Sequence, residues 1–185
     1  MDQSAYAPDP PDAELIVRCL EGDETAFELL FQRYRDAVYG YALRMLRNAT
    51  EAEEAAVEIL ERVFANLPTF RIDHEFRPWL YGIARNECLM RLRRSRKLQQ
   101  LEMAARAAGE HEPATDAPEL SEEAAAIRTQ VDALEEPYRE TVILAYFQGL
   151  NSREIAGILS TNENTVRTRL ARALRMLRER MEGDA

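Results

Sequence analysis

Six arginines fall within residues 160–182, at Arg167, Arg169, Arg172, Arg175, Arg178 and Arg180, against three glutamates. The guanidinium group presents a planar fork of donors that matches phosphate oxygens and the guanine edge. Val166, Leu170 and Leu174 follow one another at i, i+4 and i+8, which turns them inward and leaves Arg167, Thr168 and Arg172 pointing out. A second island, RNECLMRLRRSRK at 85–97, holds six basic residues against one acid. It follows a stretch bearing Phe70, His74, Phe76, Trp79 and Tyr81. Rings beside cations suit unpaired bases, whose stacking contributes about 1–3 kcal/mol each. Bland readings stand beside these. The arginine helix also reads as a solvated amphipathic face or a surface for an acidic protein, and Phe76 and Trp79 as a sealed core corner.

The formal charge of −9 argues against nucleic acid only until its distribution is considered. The islands carry +5 and +3, leaving −17 on the remainder. Cys19 and Cys88 sit apart in apolar helical patterns and read as reduced core residues of a cytoplasmic protein. His74 and His111 have no cysteine or carboxylate cluster at ligand spacing, so no metal site is expected. No catalytic constellation and no cofactor motif is found, which sets an enzyme aside. No run approaches 18 apolar residues, and MDQSAYAPDPPDAEL lacks the basic and apolar regions of a leader, so neither membrane insertion nor secretion is expected.

The elements that must carry these residues read as helices throughout. Asp12 is placed as cap of a first helix ending near Gly22, and Asp23 as cap of a second with Phe27, Leu30, Phe31, Tyr34, Val38, Tyr41 and Met45 as its apolar stripe. Thr50 and Glu53 form a capping-box pattern before Ala56, Ile59, Leu60, Val63, Phe64 and Leu67; Pro68 ends that helix, and Pro78 suits the first turn of the next. After Lys97 the texture turns acidic and aperiodic. Ile127, Val131 and Leu134 then share a face, PYRETVILAYFQ forms a helix that Gly149 closes, Asn151 with Glu154 opens a short helix, and Asn162 caps the arginine helix. The expected fold is all-α: two small helical bundles joined by a flexible acidic linker, the second containing a helix-turn-helix. The boundaries are a disordered tail at 1–11, a module at 12–97, a linker at 98–121 and a module at 122–182. Ser160 stands in the turn where many such motifs carry glycine.

In a helix-turn-helix the second helix enters the major groove with its first residues at base edges. Here these are Asn164, Thr165, Arg167, Thr168 and Arg169, with Arg172 a turn further on.

Both halves in this order resemble the bacterial sigma-70 family, specifically its short extracytoplasmic-function (ECF) group. AFELLFQRYRDAVYGYALRML and FRPWLYGIARN are similar to the family's −10-reading domain. LEEPYRETVILAYFQGLNSREIAGILSTNENTVRTRLARALRMLRE is similar to its −35-reading domain almost throughout. The resemblance implies a sigma factor that binds core RNA polymerase and promoter DNA and is restrained by an anti-sigma factor. It places Phe70, Arg71, His74, Phe76, Trp79, Asn86, Arg91, Arg93 and Arg94 on the opened −10 strand. Asn164, Thr165, Arg167, Thr168, Arg169 and Arg172 fall on the −35 duplex. Glu53, Glu54, Val57, Glu58, Leu60 and Glu61 form the surface that docks on polymerase. The chain departs from the family's common pattern at Glu54, Val57, Leu60 and Met90, where aspartate, glutamine, phenylalanine and aspartate are usual. Val57 removes an amide from the docking face. The alternative reading is therefore a sigma mimic that sequesters an anti-sigma factor without starting transcription.

Overall fold

The computed structural model describes residues 9–105, 127 and 129–183, and among these every regular element is helical. Helix α1 spans Asp12–Leu20, α2 Glu24–Leu46 and α3 Ala49–Asn66, followed by a single 3-10 turn at Leu67–Thr69. Helix α4 spans Phe76–Ala105. In the second module, residues 129–132 are helical, α5 covers Tyr138–Val142 and widens into a π-turn at Ile143–Phe147, α6 covers Ser152–Ile158 and α7 Glu163–Gly183. The all-α architecture with its helix-turn-helix is as the periodicity requires. None of the described helices is long and apolar enough to cross a membrane.

The caps hold in part. Asp23 accepts from the N–H groups of Thr25 and Ala26, and Asn162 from that of Thr165. Asn151 and Glu154 make the full reciprocal box. Asp12 and Thr50 are not caps. Pro11 occupies the first cap position, and the Asp12 carboxylate instead takes Arg33 and the Tyr34 hydroxyl, tying α1 to α2. Asn48 caps α3 by accepting from Glu51 N–H at 2.9 Å, the stronger capping side chain winning over threonine.

Helix α4 does not stop at Lys97 but continues to Ala105, because KLQQLEMAA consists of strong helix formers. The rest of the expected linker, and the tail through residue 8, lie outside the described residues.

The first module packs Leu15, Ile16, Leu30, Val38, Tyr41, Met45, Ile59 and Leu80 out of solvent; the second packs Val131, Leu134, Ile143, Leu144, Ile155, Val166 and Ala173. Phe27 is an exception in the expected stripe. It is exposed and stacks with Phe31 and Phe64 at the rim of α2 and α3. Ile127 and Leu174, placed on inner faces by periodicity, are exposed at the edge of the smaller bundle.

The two modules touch through buried polar groups. Glu140 reaches from α5 to the Nε of Arg85 at 2.8 Å, with the Tyr41 hydroxyl at 3.5 Å. The π-turn carries Gln148 inward, where its side chain accepts from the Tyr81 hydroxyl and its carbonyl from Arg77. Arg44 lies 4.0 Å over the ring of Phe147, and Arg47 donates to the Asp132 carbonyl. Burial pushes the Glu140 carboxyl up, partly countered by Arg85, and pushes the Tyr81 hydroxyl up to about 12.

Candidate nucleic-acid interface

Helix α6, a turn and helix α7 carry the arginine face. Ser160, in the turn, adopts φ +50°, a left-handed conformation that glycine would enter without steric cost. On α7 the side chains of Asn164, Arg167, Thr168 and Arg172 are exposed, while Thr165 and Arg169 are half-buried. Thr165 is committed to the cap: its N–H and hydroxyl both donate to Asn162 Oδ1, at 2.8 and 2.9 Å. The Thr168 hydroxyl donates to the Asn164 carbonyl, and Arg167 pairs with Glu163 one turn back at 2.5 Å. Arg172 lies 5.7 Å over the ring of Tyr138, which joins Asn164, Thr168 and Arg169 around a shallow concavity. Tyr138 was not among the expected site residues, since only the packing of α5 on α7 brings it there.

The second surface lies on the 70–75 loop and α4. Phe70 packs against Trp79 with centroids 5.1 Å apart. Arg71 binds Asp73 through two nitrogens, and His74 is exposed beside it. Burial outweighs expectation at three positions. Phe76, 5% exposed, is wedged between Tyr34, Phe70 and Trp79 and is a core residue with no free face for a base. Leu60, 3% exposed, belongs to the core and not to a docking surface. The Arg91 side chain, 15% exposed, is enclosed by Glu54, Glu58 and Glu87 and is not presented to a strand. Burial alone would lower its pKa, but the three carboxylates hold it above the ordinary value. Arg93, Arg94 and Asn86 are exposed.

On α3 the exposed face contains Glu53, Glu54, Val57 and Glu61, with Val57 at 58% exposure. Glu58 is half-buried, its carboxyl held low first by Arg91.

Two concavities border α4. One, between α3 and α4, brings Arg62, Trp79, Ile83, Asn86, Glu87 and Met90 together. The other is a cleft of about 1000 Å³ in which the 70–75 loop and α4 face Asn151, Arg153, Glu154 and Ser160 of the second module. Burial and the nearby Glu75 push the Glu154 carboxyl up. Arg62 was not expected, because the crossing of α3 over α4 places it and no local pattern marks it. Glu87 did leave a signal: it is the lone acid in the basic island at 85–97.

Comparison with known proteins finds two family models on the chain, one after the other. The family model for sigma-70 region 2 matches residues 30–98, and that for sigma-70 region 4 matches residues 124–177. The ECF RNA polymerase sigma factor SigW of Bacillus subtilis is 30% identical over 176 residues, covering 90% of this chain and 94% of its own. The RNA polymerase sigma-H factor of Pseudomonas aeruginosa is 31% identical over 172 residues, covering 88% and 89%. CnrH, solved in complex with the cytosolic domain of CnrY, shares the fold with a TM-score of 0.71 at 22% identity, over 94% of this chain and 99% of that one. The sigma factor RpoE of Bartonella quintana, solved with the anti-sigma factor NepR, also gives a TM-score of 0.71 at 22% identity, over 86% and 98%. With both regions matched in order and full-length relatives at this identity, the chain belongs to the ECF sigma factors of the sigma-70 family.

Proposed function

We propose that the protein directs promoter-specific transcription initiation: it binds core RNA polymerase, reads a −35 duplex with α7, and holds an opened −10 strand on the loop and α4. The observation that carries this reading is the pairing of two separate cationic surfaces. One is a helix-turn-helix face with Asn164, Arg167, Thr168 and Arg172 free to reach a groove. The other sets the rings of Phe70 and Trp79 near Asn86, with the exposed Arg93 and Arg94 further along α4, which suits a single strand lying along the helix. A repressor acting alone would leave the second surface idle. The exposed carboxylates of α3 around Val57 form the polymerase-docking face, and the acidic remainder keeps the free chain off random DNA. An anti-sigma factor holds the protein inactive until a signal releases it. The modules are 12–97 and 122–182.

Run-off transcription with purified core polymerase over a promoter library tests this. Starts at defined sites that require the protein are expected. Absence of starts together with tight binding to an anti-sigma factor would replace the reading with a mimic, and a DNA footprint without polymerase would replace it with a repressor.

A further inference from the structure

The exposed arginines of α7 are held in different ways. Arg167 donates to Glu163, and Arg175 lies 3.9 Å from Glu179. Arg172 has no acid partner among the described residues; its guanidinium carbon lies 5.7 Å over the centre of the Tyr138 ring instead. Tyr138 is the first residue of α5, half-buried and packed against the core of the second module. The chain just beyond it is fixed as well. Arg139 is bound by Glu136 at 2.8 Å, and Glu140, 4% exposed, is bound to Arg85. The ring is therefore the set member of the pair, and the long, exposed arginine is the one that adjusts to it. Asn164, Thr168 and Arg172 follow at i, i+4 and i+8, a row about 12 Å long along α7, and Tyr138 stands beside this row.

We infer that Tyr138 is a positioning residue for the −35 contact: its ring holds the Arg172 guanidinium on the outward row of α7, ready to donate to acceptors of the duplex. The inference rests on the reading of α7 as the −35 helix. An arginine free in solvent gives up much rotamer freedom when it binds, and a ring that already restricts it removes part of that cost. A ring face attracts the cation through its quadrupole and takes none of the guanidinium N–H donors, so the planar fork stays available for a base edge or a phosphate. A carboxylate does the opposite. Arg167 has to leave Glu163 before it can bind anything else. Tyr138 acts through Arg172 and needs no contact with DNA of its own. The two residues are 34 positions apart in the chain and are joined only by the packing of α5 on α7.

The test is a double-substitution cycle in run-off transcription with core polymerase, on one promoter with its −35 element intact and again with that element scrambled. Tyr138→Leu keeps an apolar side chain and removes the ring face, whereas Tyr138→Phe keeps the face. With Arg172 present, Tyr138→Leu should lower −35-dependent initiation about threefold, and Tyr138→Phe should stay within about 1.5-fold of the wild type. In the Arg172→Ala background Tyr138→Leu should add nothing, because the side chain it positions is gone. On the scrambled promoter it should have no effect. Melting temperature and core-polymerase affinity of Tyr138→Leu should match the wild type; if either falls, Tyr138→Met takes its place in the cycle. No loss in the ring-less variant, the same loss with and without Arg172, a loss that persists on the scrambled promoter, or a loss in Tyr138→Phe as large as in Tyr138→Leu would each overturn the assignment and leave the promoter reading standing. Absence of specific starts from every promoter would remove the promoter reading, and this inference with it.

Discussion

Arg167 shows how a surface residue is held ready for a different partner. Its ion pair with Glu163 is exposed and one turn apart, a contact of only a few tenths of a kcal/mol. Exchange for a base edge or a phosphate is therefore cheap. Arg167→Ala is expected to cost about 1–3 kcal/mol of −35-dependent initiation, roughly tenfold or more, with core-polymerase affinity near wild type. An equal fall in core affinity, measured by fluorescence anisotropy, would show that the residue serves another surface. Ser160 is the opposite case, a residue whose backbone is strained. Its φ of +50° disfavours any side chain with a Cβ, so Ser160→Gly should raise stability by about 1 kcal/mol and the melting temperature by about 2–4 °C. No change in a calorimetric scan would mean that the serine finds compensation in the turn.

Among the elements, α6 is the shortest helix of the helix-turn-helix and depends most on its ends. Seven residues cannot hold a helix by propensity, so the Asn151–Glu154 box and the packing of Ile155 and Ala156 must. Asn151→Ala should lower stability by about 1 kcal/mol, read as a shift in the urea midpoint at constant slope. A shift no larger than that of an exposed control such as Glu53→Ala would place the helix's stability in its packing alone. Helices α3 and α4 are joined differently, by the Arg91 side chain set among Glu54, Glu58 and Glu87, with Arg62 closing the other side of Glu87. Three acids from two helices share one arginine, which fixes the angle at which α3 crosses α4 and hence the shape of the pocket between them.

Across the whole molecule, the contact between modules is polar at its centre and therefore separable. Helix α6 faces the 70–75 loop across a cleft, which would open if the modules moved apart. Arg85→Ala would leave Glu140 buried without its cation. A broken buried pair costs about 3–5 kcal/mol, and opening the modules is the cheaper escape. The variant should show a larger radius of gyration by small-angle scattering, whereas an unchanged radius with lower stability would locate the cost inside a module. Acid acts in the opposite sense. Glu140, facing Arg85, Tyr41 and Glu136, and Glu154, facing Glu75 and Arg77, both have carboxyls raised above the ordinary 4.5. Each binds its proton more tightly when the modules are together. Closure is thus favoured as pH falls from neutral towards 4.5 and weakened as pH rises through the raised values. Asp23 and Glu58, held low by Arg18 and Arg91, run the other way inside the first module, which loosens as they are protonated. Energy transfer between dyes on Glu53 and Arg175 should rise on mild acidification; a fall would exclude these carboxyls as the controlling groups.

The amino-acid sequence by itself determined the helices, the helix-turn-helix, the outward set Arg167, Thr168 and Arg172, and the family. These follow from spacing along one chain, because a helix repeats every 3.6 residues whatever it packs against. The sequence placed Phe76, Leu60 and Arg91 on working surfaces, and the structure enclosed all three. Periodicity tells that a side chain has a face, but only the neighbouring helix decides whether that face is covered. The same limit hid the pocket. Arg62 and Trp79 are 17 positions apart and meet only because α3 crosses α4. Glu87 was visible as an acid among arginines, but its burial between Arg62 and Arg91 is a property of packing. The contact between Glu140 and Arg85 likewise joins residues 55 apart and has no local signature. Helix content is a local matter of backbone and periodicity, whereas burial, pairing and enclosure are decided between elements, and in this protein they set which cations remain free for nucleic acid.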